Sequence, residues 1–242
     1  LMVSGVSDAG LERLSAQLRP AGLLPVRAGA AGSKARGASR ARKIDYEPGG
    51  AVAVSLVTGD ADWAGVGTVT DVIDDTILAF GHAMMGEGDA SLPMAPGVVH
   101  TVVSNMVTSF KLGGATDVDA ELVRDEFVGI VGRRGRTAAR VPMSVDVRWA
   151  MDGRRQLLSY QLARHEWWTP MLAGALVFES TLALRMPPEP HHATYVAEVD
   201  FGELGTYRVD GACSDFTMWD IEGAVTRPVA ALAYNPLTEP VY

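Results

Sequence analysis

The sequence predicts a β-dominated α+β protein. Short apolar runs rich in β-branched residues recur along the chain, and AVAVSLVT at residues 51–58 is the clearest of them. The 242 residues include 26 glycines and 13 prolines, which indicate many turns and argue against a helical bundle. A long helical pattern occurs only at residues 166–185. An apolar fraction of 48% is enough to form a packed core.

Four regions are predicted along the chain. Residues 1–27 form a small βα segment, in which Ser7 or Asp8 caps a helix that ends before Pro20. A basic flexible linker follows at 28–47, because 28–43 holds five basic residues, no acidic residue and no apolar period. Residues 48–150 form a β domain, and residues 151–242 form an accessory α+β region.

The β domain is predicted to contain strands at 51–58, 65–73 and 76–80, with a turn at Asp74-Asp75. Residues 83–97 are rich in glycine, methionine and proline and are predicted to form a loop. Residues 98–112 form one long strand or two shorter ones. Further strands are expected at 127–131 and 140–149.

The accessory region begins with a predicted strand at 156–164, followed by the long helix, with Thr169 and Pro170 near its start. Residues 194–201 and 206–210 are expected to pair as a hairpin. Residues 227–233 fit either a helix or a strand. The chain opens on Leu1, which suggests a fragment or a processed product.

Composition and motifs exclude several classes of function. A net charge of −8 argues against nucleic acid as the main partner. The single cysteine excludes an intramolecular disulfide framework and a cysteine-rich zinc site. The longest apolar stretch, 167–184, is interrupted by Glu179, so we expect no transmembrane segment. We expect no cofactor and no metal, because phosphate-binding motifs are missing and these side chains match no known ligand spacing: His82, His100, His191, His192 and Cys213.

His82 is the candidate catalytic residue. It directly follows a predicted β-hairpin, in the run ILAFGHAMMGEG. A histidine at the rim of a strand, beside a loop, suits a general base, and serine peptidases with a double β-barrel place their base there. A histidine in this position can also be an ordinary hydrogen-bonded rim residue. Near it in the sequence lie aspartates that we interpret as turn formers and methionines that line a cleft or fill the core: Asp71, Asp74, Asp75, Asp89, Met84, Met85 and Met94.

The segment around His82 resembles the SpoIVB-type serine peptidase family. The resemblance is carried by VGTVT at 66–70, by AFGH at 79–82, by VVHTVVSNMVTSFKL and by GIVG at 129–132, and it extends over about residues 48–135. Near the end of the chain, YNPL at 234–237 and PV at 240–241 are similar to the ends of long bacterial relatives. The resemblance implies a chymotrypsin-like β-barrel in the His-bearing part, an extracytoplasmic location and a peptide or protein substrate.

The sequence departs from that family at the nucleophile. The family's serine lies in a Gly-x-Ser-Gly-Ser-Pro turn, and this chain contains no such turn. The nearest serines, Ser7 and Ser214, lack the residues that follow in the motif. The resemblance therefore implies a serine from outside this chain, which the upstream half of the same protein could supply.

Two functions remain open from the sequence. In the first, the chain is part of a SpoIVB-like serine endopeptidase, with His82 as the general base. In the second, it is a non-catalytic binding or scaffold domain that keeps the peptidase-like fold. Whether the protein is an enzyme is undecided at this stage, because the chain has no recognisable nucleophile of its own.

Overall fold

The structure is a computed structural model, and it describes residues 1–28, 44–104, 110–183, 191–214 and 219–235. The chain divides into two compact units, Leu1–Arg140 and Val141–Tyr242. The sequence placed the corresponding boundary at 150/151. Strands dominate the described residues, as the fold class predicted.

The described residues of the first unit contain eight strands of three or more residues, a ninth strand of two residues, and one α-helix. Their bounds are β1 Met2–Ser4, α1 Asp8–Leu18, β2 Val26–Arg27, β3 Ala51–Gly59, β4 Asp62–Ile73, β5 Thr76–Ala79, β6 Gly88–Val103, β7 Phe110–Ala115, β8 Ala120–Glu126 and β9 Gly129–Arg134. The first half of the unit matches the sequence prediction closely. The hairpin of β4 and β5 turns at Asp74, which has a φ of 53°.

Six of these strands form a closed cycle of antiparallel pairings. β3 pairs with β4, β4 with β5, β5 with β9, β9 with β8, β8 with β6, and β6 again with β3. Apolar side chains from around the cycle are fully buried, including Val54, Ile77, Leu122 and Ile130. Burial of these side chains is the main source of stability of this unit.

The N-terminal segment belongs to the same sheet. β1 pairs in parallel with β2 and antiparallel with β4. Between β1 and β2 in the chain, α1 begins after Ser7. The hydroxyl oxygen of Ser7 accepts a hydrogen bond from the N–H of Gly10. This hydrogen bond satisfies one of the free donors of the first helical turn, as the sequence predicted.

Within residues 44–47, the end of the predicted linker, Tyr46 is fixed in the structure, whereas Ile44, Asp45 and Glu47 are exposed. Tyr46 is buried and donates a hydrogen bond of 2.7 Å to Asp119. The Arg134 guanidinium lies over the Tyr46 ring and pairs with Asp45. Burial and the neighbouring Asp119 carboxylate raise the pKa of Tyr46 well above its usual value. The rest of the predicted linker, 29–43, lies outside the described residues.

Three differences from the sequence prediction concern the strands around the site. Residues 83–97 are mostly strand, because β6 begins at Gly88 and its two prolines occupy paired positions opposite β8 and β3. Residues 98–112 contribute to two strands, β6 and β7, which is one of the two predicted alternatives. β8 was not predicted, and the strand expected at 127–131 begins only at Gly129, because residues 127–128 form the turn of the β8–β9 hairpin.

The second unit contains four strands and two helices: β10 Arg140–Arg148, β11 Arg155–Ala163, α2 Trp168–Leu182, β12 His192–Asp200, β13 Thr206–Ser214 and α3 Trp219–Ala233. β12 and β13 pair as the predicted hairpin, and α2 packs against α3. One long helix was expected here, and α3 is a second of equal length despite Pro228 in its interior. None of the helices in the described ranges is long and apolar enough to cross a membrane.

Candidate functional site

His82 follows a strained turn at the end of β5. The N–H of Gly81 donates to the carbonyl of Ala79 at 3.0 Å, which closes a three-residue γ-turn around Phe80. Phe80 has a φ of 72° and Gly81 a φ of 74°. A bulky residue rarely adopts this left-handed backbone conformation, which costs on the order of 1–3 kcal/mol. Surrounding contacts therefore have to hold the turn in place.

Two glycines of β4 provide those contacts. A Cβ atom on Gly67 would lie 2.1 Å from the Phe80 ring, so the ring occupies the space that the missing side chain leaves. Gly65, two residues earlier, lies against the end of the Met84 side chain. The Gly-Val-Gly run at 65–67 thus serves packing beneath the His82 turn.

The His82 ring is exposed and held at one nitrogen. Its Nδ1 lies 2.7 Å from the carbonyl oxygen of Ala83, and its ring centroid lies 5.7 Å from that of Phe80. Because a carbonyl oxygen can only accept, Nδ1 carries the proton in this contact. In the neutral ring Nε2 is the nitrogen with the lone pair, and it has no hydrogen-bond partner among the described residues. The ring is therefore oriented to accept a proton from an approaching group.

A buried carboxylate fixes the loop that follows His82. Asp125, on β8, is 4% exposed and accepts hydrogen bonds from three consecutive backbone N–H groups. They come from Met84 at 2.7 Å, Met85 at 2.5 Å and Gly86 at 2.8 Å. The sequence did not predict a role for Asp125, which lies far downstream of His82. It stands in AELVRDE, where four of seven residues are charged, so no local pattern distinguishes it.

The aspartates near His82 in the sequence do not orient its ring, since Nδ1 is bonded to Ala83. Asp74 and Asp75 lie exposed at the β4–β5 turn. Asp71 accepts from the N–H of Val72, and Asp89 pairs with Arg124 at 3.3 Å. The interpretation as turn formers agrees with the positions of Asp74 and Asp75, whereas Asp71 and Asp89 lie within β4 and β6.

The three methionines separate into two groups. Met84 and Met85 are half-buried in the loop after His82. Met94 is fully buried and packs against Gly132 in the core of the first unit, so it does not line a cleft. Beside the loop, Phe127 and Val128 at the tip of the β8–β9 hairpin are 90% and 78% exposed.

The candidate serines in the described residues belong to other elements of the fold than the His82 turn. Ser7 caps α1, and Ser4 donates to the carbonyl of Asp62 in a small depression that His100 also lines. In the second unit, the hydroxyl of Ser214 lies 3.3 Å from Nδ1 of His192, across the β12–β13 pair. Ser104 is exposed after β6, and Ser109 lies outside the described residues.

The described ranges contain no cluster of three or more histidine, cysteine, aspartate or glutamate side chains that could hold a metal ion. Cys213 is a buried cysteine on β13 that is not part of a disulfide. Trp167 and Trp168 pack edge to face at the start of α2, with Trp168 fully buried, so this aromatic pair is part of the packing of the second unit.

Comparison with known proteins gives no match: no family model, no curated protein and no solved structure is similar to this chain.

Proposed function

We propose that this chain is the His-bearing part of a SpoIVB-like serine endopeptidase. His82 acts as general base for a serine that comes from outside the chain. The observation that carries this proposal is the state of the His82 ring, which is exposed, oriented through Nδ1 and unpartnered at Nε2 among the described residues. A base with one fixed and one available nitrogen is the arrangement that nucleophilic catalysis by serine requires.

The chemistry is acyl transfer. Nε2 of His82 takes the proton of the serine hydroxyl as its oxygen attacks the carbonyl carbon of the scissile peptide bond. The resulting imidazolium keeps its Nδ1–H on the Ala83 carbonyl and gives the Nε2 proton to the leaving amine. Water then takes the place of the amine, and the same base assists hydrolysis of the acyl-serine.

The closed cycle of six antiparallel strands supports this reading of the fold. We propose that the cycle is a β-barrel of the chymotrypsin-like type, with His82 at its rim after β5. Closing a sheet on itself removes free strand edges and gives a rigid frame for residues at the strand ends. The strained Phe80 turn fits a functional position, because strain of this kind concentrates at active sites.

A non-catalytic binding or scaffold domain is the second candidate. The observation that favours it is the partner of Nδ1, which is a backbone carbonyl where serine peptidases use a carboxylate. A carbonyl fixes the tautomer but offers less stabilisation to the imidazolium than a carboxylate does.

The first prediction separates the two candidates. The purified chain is expected to show no His82-dependent labelling by a fluorophosphonate probe, because no serine here lies in the required turn. The complete gene product that contains this chain is expected to be labelled and to cleave peptides. His82→Gln should lower its cleavage rate by about 10²–10⁴-fold, the usual contribution of a general base. His100→Gln, which changes an exposed histidine on β6, is the matched control and should have no effect.

Three outcomes would contradict the proposal. Full activity of the complete gene product after His82→Gln would show that His82 is not the general base. Labelling of the isolated chain that disappears with Ser214→Ala but survives His82→Gln would place the nucleophile in the second unit, beside His192. Absence of both labelling and cleavage in the complete gene product would favour the binding domain.

A further inference from the structure

We infer that Asp125 is a positioning residue for His82. Its carboxylate sets the backbone of residues 84–86 and thereby the place of the His82 ring. The catalytic meaning of this role rests on the proposed function, whereas the structural coupling between the two residues does not.

Among the described residues, the carboxylate is the only acceptor for these three N–H groups. One oxygen accepts from Met84, and the other accepts from both Met85 and Gly86. Three consecutive N–H groups converge on one anion only in a concave backbone conformation, and Gly86 has the positive φ of 77° that such a conformation favours. The loop therefore takes its shape around the Asp125 side chain.

The shape of the loop also depends on the negative charge of the Asp125 carboxylate. Asp125 is 4% exposed, and among the described residues it has no cationic side chain as partner. The three N–H dipoles are therefore the groups that compensate its charge, and hydrogen bonds to an ionised acceptor are about twice as strong as neutral ones. An asparagine of the same shape would turn two N–H donors of its own toward donors of the loop.

The His82 turn is held from both sides by these contacts. Before His82, the Phe80 ring fills the space at Gly67. After it, the carbonyl oxygen that accepts the hydrogen bond from Nδ1–H belongs to Ala83, the residue directly before the first N–H held by Asp125. Movement of the 84–86 backbone consequently moves the acceptor that orients the ring.

The wild-type chain tests the contact itself. Scalar couplings across hydrogen bonds, from the amide nitrogens of residues 84–86 to the carboxyl carbon of Asp125, are expected in its NMR spectra. In Asp125→Asn, hydrogen exchange of these three amides should accelerate by about tenfold or more. The nitrogen signals of the His82 ring should shift in the same variant. In Asp125→Ala, formate should restore slow exchange, and chloride at equal ionic strength should not.

Glu121→Gln is the matched control. Glu121 is a buried carboxylate on the same strand, but its partners are the side chains of Ser91 and Arg136. This variant should leave the exchange of residues 84–86 and the His82 ring signals unchanged. Missing couplings in the wild type, or exchange in Asp125→Asn that stays within about twofold of wild type, would overturn the inference. Faster exchange with unchanged His82 ring signals would also overturn it, because the carboxylate would then hold only the backbone.

The enzymatic readout uses the complete gene product. Asp125→Asn should lower kcat by about tenfold to a hundredfold with little change in KM, since a misplaced base impairs the chemical step more than substrate binding. If the NMR results hold while His82→Gln leaves cleavage intact, the coupling of Asp125 to His82 stands and the peptidase function fails. If His82→Gln abolishes cleavage while Asp125→Asn leaves the hydrogen exchange of residues 84–86 unchanged, only the positioning role of Asp125 is contradicted.

Discussion

At the scale of single residues, the His82 turn depends on two glycines, because neighbouring groups occupy the space that a side chain would need. Gly67 leaves room for the Phe80 ring. Gly129 allows β9 to start close to the end of β5, where a Cβ atom would lie 2.9 Å from the Ala79 carbonyl oxygen. Both glycines lie next to the turn that presents His82, so a methyl group at either position would act on the site through packing.

Gly67→Ala is expected to destabilise the first unit by about 1–3 kcal/mol, because the new methyl group meets an aromatic ring that is already held in a strained turn. Thermal or urea unfolding followed by circular dichroism measures this change. Gly65→Ala is the control. Its new methyl group would lie 3.5 Å from the flexible end of Met84, an ordinary contact, and should change stability by less than about 1 kcal/mol. Equal stability of Gly67→Ala and the wild type would contradict the packing described here.

Asp125 shows why part of the site could not be predicted. With Leu122 inward, strict alternation would point Arg124 inward and Asp125 outward. The structure has a register shift between Leu122 and Arg124 in the pairing of β8 with β9, and beyond it Arg124 is exposed and Asp125 buried. A bulge of this kind reverses which face each side chain occupies, and nothing local in the sequence marks it. His82, by contrast, could be placed because it directly follows a clear hairpin.

At the scale of secondary structure elements, hairpins with a turn signal were predictable and strands with prolines were not. β4 and β5 meet at Asp74-Asp75, and β12 and β13 meet around Gly202 and Gly205, so local turn chemistry located both pairs. β6 contains Pro93 and Pro96, which argue against a paired strand when the sequence is read alone. Long-range pairing with β3 and β8 outweighs that local preference.

The neighbouring strands β10 and β11 are joined by charged side chains that give a testable pH dependence. Hydrogen bonds from Arg155 and Arg148 lower the pKa of Asp146 to about 2. Because the pKa in the folded state is depressed, the stability that these pairs contribute is present above about pH 4 and is lost as the pH falls toward 2. The effect on stability should be small, since the pairs are exposed and screened by solvent.

Arg155→Gln is expected to raise the pKa of Asp146 toward its ordinary value, because it removes the larger of the two contacts. Carboxyl-carbon NMR titration of Asp146 measures the change. Arg154→Gln is the control, since Arg154 pairs with Asp152 and should leave the Asp146 titration unmoved. An unchanged Asp146 titration in Arg155→Gln would show that this pair does not form in solution.

At the scale of the whole molecule, the two units differ in how their cores are built. The first is organised around the closed cycle of six strands, and its largest buried side chain is Trp63, whose Nε1–H donates to the carbonyl of Ser4. The second buries apolar residues along α2, which packs against α3. Within the first unit, the cycle is complete without any strand from the second.

A chain of residues 1–140 is therefore expected to fold on its own. Trp63 is its single tryptophan and should report folding by blue-shifted fluorescence that changes cooperatively in urea. Trp63→Phe of the same chain is the spectroscopic control, because the signal should disappear while the circular dichroism transition remains. Red-shifted emission without urea, or a gradual change over the whole urea range, would show that the first unit needs the second.

The closed cycle also determines when the site can form during protein synthesis. β5 is one of the shortest strands of the cycle, and its far edge is completed by β9, more than fifty residues later in the chain. Asp125 and Gly129 emerge from the ribosome in that same late segment. The nascent chain thus carries His82 on an unfinished edge until β9 has been made, and only then can the His82 ring take up a defined geometry. A catalytic base assembled this late would be inert in every shorter, incomplete chain.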